Sequence, residues 1–192
     1  MNFIKNKPNS KLIIEWLVAN AIAWPLGILL AIILSYAIVN IFHPEETNLI
    51  IGFSVGITIA FAQWQVLKKL MKISVLWIFV PGICIGIPYA WITLIHESGN
   101  NLPQLLDSEW FFRATLFFIC GALVGIIQSL LKSINIGRSY IWILLSAIGW
   151  SISITINSFL FSGLIIGLLT LAAFILMLNE RKIGPPHRPE SS

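Results

Sequence analysis

The chain has 192 residues, of which 57% are apolar and only 10% charged, whereas a soluble domain carries about 25% charged residues. Too few charges remain to hydrate a surface of this size, so lipid is the expected solvent. The formal charge of +4 does not point to nucleic acid, because the basic residues form no stripe and sit in short clusters between apolar runs.

In chain order, Lys5, Lys7 and Lys11 precede Leu12-Ile13-Ile14, and Ala21-Ile22-Ala23 imitates a signal-peptide cleavage site. Cleavage is not expected, since Glu15 interrupts the apolar stretch and the run continues to Phe42, far past a signal core of roughly 7–15 residues. Apolar runs at Trp16–Phe42, Asn48–Leu67, Ile73–Ile95, Phe111–Leu131, Ser139–Asn157 and Phe159–Leu178 predict six transmembrane helices. A hydrocarbon core of ~30 Å needs about 20 residues, and the longer first run would tilt or pass the interface. Backbone groups in lipid must satisfy one another, and no strand-like alternation suits a barrel, so the fold class is an all-α membrane protein. Residues 1–178 read as one six-helix domain and 179–192 as a short polar tail, with Gly184-Pro185-Pro186 leaving no helix signal.

If the runs alternate, Lys5, Lys7, Lys11, Lys68, Lys69, Lys72, Lys132, Arg138, Arg181, Lys182 and Arg188 fall on one side, eleven of the twelve basic residues. By the positive-inside rule that side is cytoplasmic, giving N-in/C-in topology. The twelfth, Arg113, lies four residues after Glu109 near the outer end of span four, where an interfacial ion pair or a snorkelling side chain accounts for it better than an anion site does.

The spans repeat. Gly56 and Gly121, Gln63 and Gln128, and Trp77 and Trp142 are each 65 positions apart. The second, fourth and sixth spans carry Gly56-Ala60-Gln63, Gly121-Gly125-Gln128 and Gly163-Gly167-Thr170, each followed by basic residues. On the odd spans Trp16 and Trp24 match Trp142 and Trp150, while Trp77 keeps the first position alone. Three tandem helical hairpins in parallel orientation follow. Positions i, i+4 and i+7 share a helix face, so two small residues admit a close neighbour and the Gln or Thr bonds an adjacent helix or lines a polar pathway. A ring of these small faces around a central axis is one arrangement the pattern allows. Trp24 and Trp150, roughly 12 Å along the helix from Trp16 and Trp142, are expected inside the bundle.

The pattern of Gly56, Gln63, Trp64, Val66, Leu67, Lys68, Lys69 and Trp77, repeated as Gly121, Gly125, Gln128, Trp142, Gly149 and Trp150, resembles a group of uncharacterised bacterial multi-pass membrane proteins built from repeated Gly/Gln-Trp hairpins. That resemblance implies no activity. Thr170 in place of Gln, and Ile85-Gly86 in place of Gly-Trp, depart from it.

No catalytic, cofactor or metal site is read. Paired intramembrane Asp, Gly-x-Ser-x-Gly and His-Glu-x-x-His are missing from the sequence, and no predicted span holds an Asp or His. His43, Glu45, Glu46, His96 and Glu97 are suitable cation ligands without a fixed spacing and read as solvated loop ends. Cys84 and Cys120 lie in apolar runs and read as small hydrophobes. The expected function is non-enzymatic: a structural or accessory subunit whose small-residue faces pack against each other, a second copy or another membrane subunit in the bilayer. The alternative is a protein that binds or conducts a small neutral or lipophilic solute, since the span number and Gly/Ala-rich faces also resemble the substrate-binding subunits of vitamin importers. A cavity of ~300 Å³ or more lined by Gln63 and Gln128 would mark the alternative.

Overall fold

Where apolar side chains surround the backbone, its N–H and C=O groups have chiefly one another to bond, and helices satisfy them within one segment. The computed structural model describes residues 10–38, 44–97, 109–131, 139–156 and 161–180. Its elements are α1 (Ser10–Ile38), α2 (Pro44–Leu67), α3 (Leu76–Glu97), α4 (Glu109–Leu131), α5 (Ser139–Ile156) and α6 (Phe161–Glu180). No strand occurs among the described residues. Four helical segments, Ser10–Ala37, Asn48–Leu67, Trp110–Leu131 and Ser139–Ile156, are long and apolar enough to cross a membrane. The apolar segments of α3 and α6, Leu76–Trp91 and Phe161–Leu176, are shorter.

The helix limits depart from the hydropathy limits for local reasons. α1 starts at Ser10 rather than Trp16, because helical hydrogen bonds continue through Lys11–Glu15 whatever the polarity of the side chains. α2 starts at Pro44, and proline suits a first helical turn, where its missing N–H would have no partner anyway. α3 starts at Leu76 rather than Ile73 because the chain first completes a turn, in which the Met71 N–H donates to Leu67 O at 3.0 Å. Ser74 then caps α3, its hydroxyl accepting the Leu76 N–H at 3.2 Å.

Each helix packs on its neighbours in chain order and α6 returns to α1, so the six form a closed ring. The starts of the odd helices and the ends of the even ones share one end of it: Trp16, Trp77 and Trp142 cluster there with Leu67 and Phe174. A second layer, further along the helices, joins Trp24, Ile59, Ile85, Phe117, Trp150 and Ile166, one residue from each helix. Indoles span the interior between helices that are not ring neighbours, Trp24 to Trp150 at 6.3 Å and Trp77 to Trp142 at 5.6 Å between centroids. The small-residue faces therefore do not converge on the axis, as one reading of the repeat allowed; bulky aromatics occupy it and the glycines lie between adjacent helices.

The outside of the bundle is as apolar as its inside, unlike that of a soluble protein. Asn20, Gln63, Gln128 and Ser153 are buried, while Val18, Ile22, Ile83, Leu123 and Leu168 face outward. An outward surface of this kind gains nothing from water and is at home against acyl chains.

Candidate functional site

The repeated small residues make three equivalent seams. A β-carbon built on Gly56 of α2 would lie 2.5 Å from the carbonyl oxygen of Pro81 on α3, and one on Gly121 of α4 would lie 2.8 Å from that of Ser146 on α5. Gly163 of α6 faces the carbonyl oxygen of Asn20 on α1 in the same way. Pro81, Ser146 and Asn20 each follow the first tryptophan of their helix, Trp77, Trp142 and Trp16, by four positions. One turn further, Gly125 abuts Ile143 and Gly167 abuts Asn20, while Ala60 is fully buried. The even helices thus lie against the following odd helix, and α6 lies against α1. Close approach of this kind gives lipid-embedded helices contact that the hydrophobic effect does not supply between them.

The third position of the pattern is used differently in each copy. Gln63 Nε2 donates to Asn20 Oδ1 at 3.0 Å, joining α2 to α1. Asn20 Nδ2 in turn donates to Trp16 O at 2.8 Å, and Trp16 Nε1 to Gly167 O at 2.9 Å, so one buried polar relay runs from α2 through α1 to α6. Gln128 Oε1 accepts the Trp142 Nε1–H at 3.2 Å, joining α4 to α5, while its Nε2 is buried without a hydrogen-bond partner. Thr170 does not reach a neighbouring helix. Its hydroxyl turns back to Ile166 O at 2.6 Å, because a side chain this short finds the carbonyl one turn behind it before any other acceptor.

Sequence reasoning missed Asn20, which is wholly buried and carries two links of the relay. The signal available was its register, four positions after Trp16, with the polar Ser146 at the matching place after Trp142. It also missed the reciprocal pair at the opposite end, where Ser153 Oγ donates to Ser162 O at 2.9 Å and Ser162 Oγ to Ser153 O at 2.8 Å, tying α5 to α6. The Ile85-Gly86 departure has a packing cause. A β-carbon on Gly52 would come within 2.8 Å of Gly86 Cα, so α2 and α3 touch backbone to backbone, and Ile85 fills the level held elsewhere by Trp24 and Trp150.

Apart from Thr170, these polar groups bond helix to helix directly. A groove of about 510 Å³ lies on the flank of the ring between α1 and α2, lined by residues such as Ala19, Ala23, Leu26, Phe61, Ala62 and Gln65. Neither Gln63 nor Gln128 lines it. The side chains of Glu45, Glu46, His96, Glu97 and Glu109, together with His43 and residues 181–192, lie outside the described residues, and with them the candidate cation ligands, the partner suggested for Arg113 and the polar tail. No family model, curated protein or solved structure matches the chain.

Proposed function

We infer that this is a six-span integral membrane protein, built from three repeated helical hairpins with both termini cytoplasmic, that serves as a non-enzymatic structural or accessory subunit of a bacterial inner membrane. The packing of tryptophans across the interior is the observation that carries this reading. Tryptophans from alternate helices pack on one another along the axis, and the buried amides of Gln63 and Gln128 bond other helices, an arrangement that suits packing better than conduction. The outward apolar faces support six crossings: α3 and α6 are 22 and 20 residues long, about 30 Å at helical rise. Charge supports the orientation, with Lys11, Lys68, Lys69 and Lys72 at the end where the odd helices start. The likeness to repeated Gly/Gln-Trp hairpin proteins agrees with the three seams.

The small-residue faces are consumed inside the monomer, so a second copy or another subunit would meet the outward faces. Flux through purified protein in sealed vesicles tests the reading. Vesicles containing it are expected to hold water, protons and small neutral solutes as tightly as protein-free vesicles, and protein-dependent flux of any of these overturns it. A reporter on the last residue is expected on the cytoplasmic side, and an external reporter removes the orientation.

A further inference from the structure

The boundaries of the flank groove between α1 and α2 explain why it is open. At one end α1 and α2 touch, since a β-carbon on Gly27 would lie 2.6 Å from Val55 Cα. At the other, Lys69 Nζ pairs with Glu15 Oε2 at 2.8 Å. Between these points the facing residues Ala19, Ala23 and Ala62 are too small to fill the gap, and Ile22, Leu26 and Phe61 form its rims, each about half exposed. The lining is almost wholly apolar. The Thr58 hydroxyl is already engaged with Ser54 O at 2.9 Å on its own helix, leaving Gln65 as the polar group nearest the basic end.

Length and charge select the occupant. Along α2 the lining runs from Ile57 to Val66, about 14 Å at helical rise, which is close to one leaflet of a ~30 Å hydrocarbon core. A partner transmembrane helix would need a seam through the whole core, and this one closes halfway at Gly27. Helical register then leads out of the groove from Ala19 to Glu15 and Lys11 on α1, and from Gln65 to Lys69 on α2. Lys11, Lys68, Lys69 and Lys72 are exposed at that end and face a single described carboxylate, Glu15. Lys69, 54% exposed in its side chain, keeps donors beyond the one it gives Glu15, and Lys68 lies over the Trp64 ring at 4.3 Å.

Resting on the membrane reading above, we propose that the α1/α2 groove holds one acyl chain of an anionic phospholipid from the leaflet on the lysine side, with its phosphate received by Lys69 and Lys11. The chain fills space that neither helix can close, and the head group meets the excess of ammonium groups where the groove opens.

The test uses the full chain in phosphatidylcholine nanodiscs carrying a trace of phosphatidylglycerol with a photoreactive group midway along one acyl chain, read by mapping the labelled peptides. Labelling is expected to concentrate on Ile22, Leu26 and Phe61, and to exceed that from phosphatidylcholine bearing the same photoreactive chain. Lys69→Gln is expected to lower the phosphatidylglycerol labelling about fivefold, and Glu15→Gln to raise it. Both substitutions break the same ion pair, so a merely structural role for that pair would move the two variants in one direction and overturn the proposal. Ala62→Leu fills the groove and is expected to abolish the preference for these residues; persistence of the preference would overturn the proposal. Equal labelling by the two lipids would overturn it, as would a protein segment found cross-linked there in the lipid's place. If Ala62→Leu fails to insert, the opposed Lys69 and Glu15 variants decide alone. Failure of the wild-type chain to insert into nanodiscs at all would overturn the membrane reading first, and is told apart by that.

Discussion

Two of the three glycine seams, α2 on α3 and α4 on α5, join helices that are consecutive in the chain, whereas the third, α6 on α1, is assembled from segments at opposite ends of it. The backbone contact is alike in all three, with Gly56, Gly121 and Gly163 each against the carbonyl four residues past a tryptophan. The polar supplement is not. In the α4/α5 seam the indole N–H of Trp142 is accepted by the side chain of Gln128; in the α6/α1 seam Trp16 donates to the backbone oxygen of Gly167, and Asn20 adds the link to Gln63. Where the even helix carries Thr170 and has no long amide to offer, a glycine carbonyl with no side chain over it does the accepting. The comparison teaches that the repeat conserves an approach distance and leaves the choice of acceptor to each copy. It also teaches that the hydrogen bonds at α1 reach on to a third helix, α2, whereas those of the α4/α5 seam, from Trp142 to Gln128 and from Ser151 Oγ to Ala114 O at 2.8 Å, stay within one helix pair.

The largest effects are expected at the glycines, since a methyl group there meets backbone, which has little freedom to move aside. Gly121→Ala and Gly163→Ala should each destabilise the bundle by about 1–3 kcal/mol, measured by thermal unfolding in mild detergent. They should separate under limited proteolysis: α6, which no turn ties to α1, becomes cleavable in Gly163→Ala, while α4 and α5 remain protected in Gly121→Ala. Equal protection in both would show that the split seam gains nothing from being distinguished.

A smaller contrast is expected one turn along the odd helices. Asn20→Leu removes the acceptor of Gln63 and leaves that amide buried, at a cost of about 1–3 kcal/mol. Ser146→Ala at the matching position of α5 should fall within about 0.5 kcal/mol of the parent, because the Ser146 hydroxyl is buried without a hydrogen-bond partner. Similar losses in the two variants would break the assignment of the relay to the α6/α1 side alone.

The third position gives the smallest contrast. Gln63→Leu should cost about 0.6–2 kcal/mol, the range of interhelical bonds in membranes. Thr170→Val, which removes a bond confined to its own helix, should move the unfolding midpoint less than Gln63→Leu does; a larger shift would mean that the hydroxyl supports α1 after all.

Much of the helical framework was legible in the chain. The ends at Leu67 and Leu131 and the start at Ser139 coincide with the limits of the apolar runs, because a change from apolar to basic residues coincides with the end of the helix there. The 65-residue spacing picked out Gly56, Gly121, Gln63 and Gln128, all of which lie at helix contacts. Asn20 was passed over because one amide within an apolar run carries no periodicity of its own, and Thr170 was grouped with the glutamines because register records position and not reach. The flank groove left no signal, since Ala19, Ala23 and Ala62 are as suited to a tight contact as to a gap.

What the sequence determined by itself is that the chain forms apolar helices with lysine gathered between alternate pairs, which follows from the cost of exposing such residues to water and of leaving backbone groups unbonded in their absence. Which face of each helix turns inward was decided only by the tertiary structure. Lipid and protein interior are equally apolar, so hydrophobicity supplies no gradient to orient a helix about its own axis. Orientation came instead from the few polar side chains that find partners inside, such as Asn20, Gln63 and Gln128, and from the size of the residues, as glycines sought neighbouring backbones and tryptophans the remaining central volume, and that is settled only when all six helices are present together.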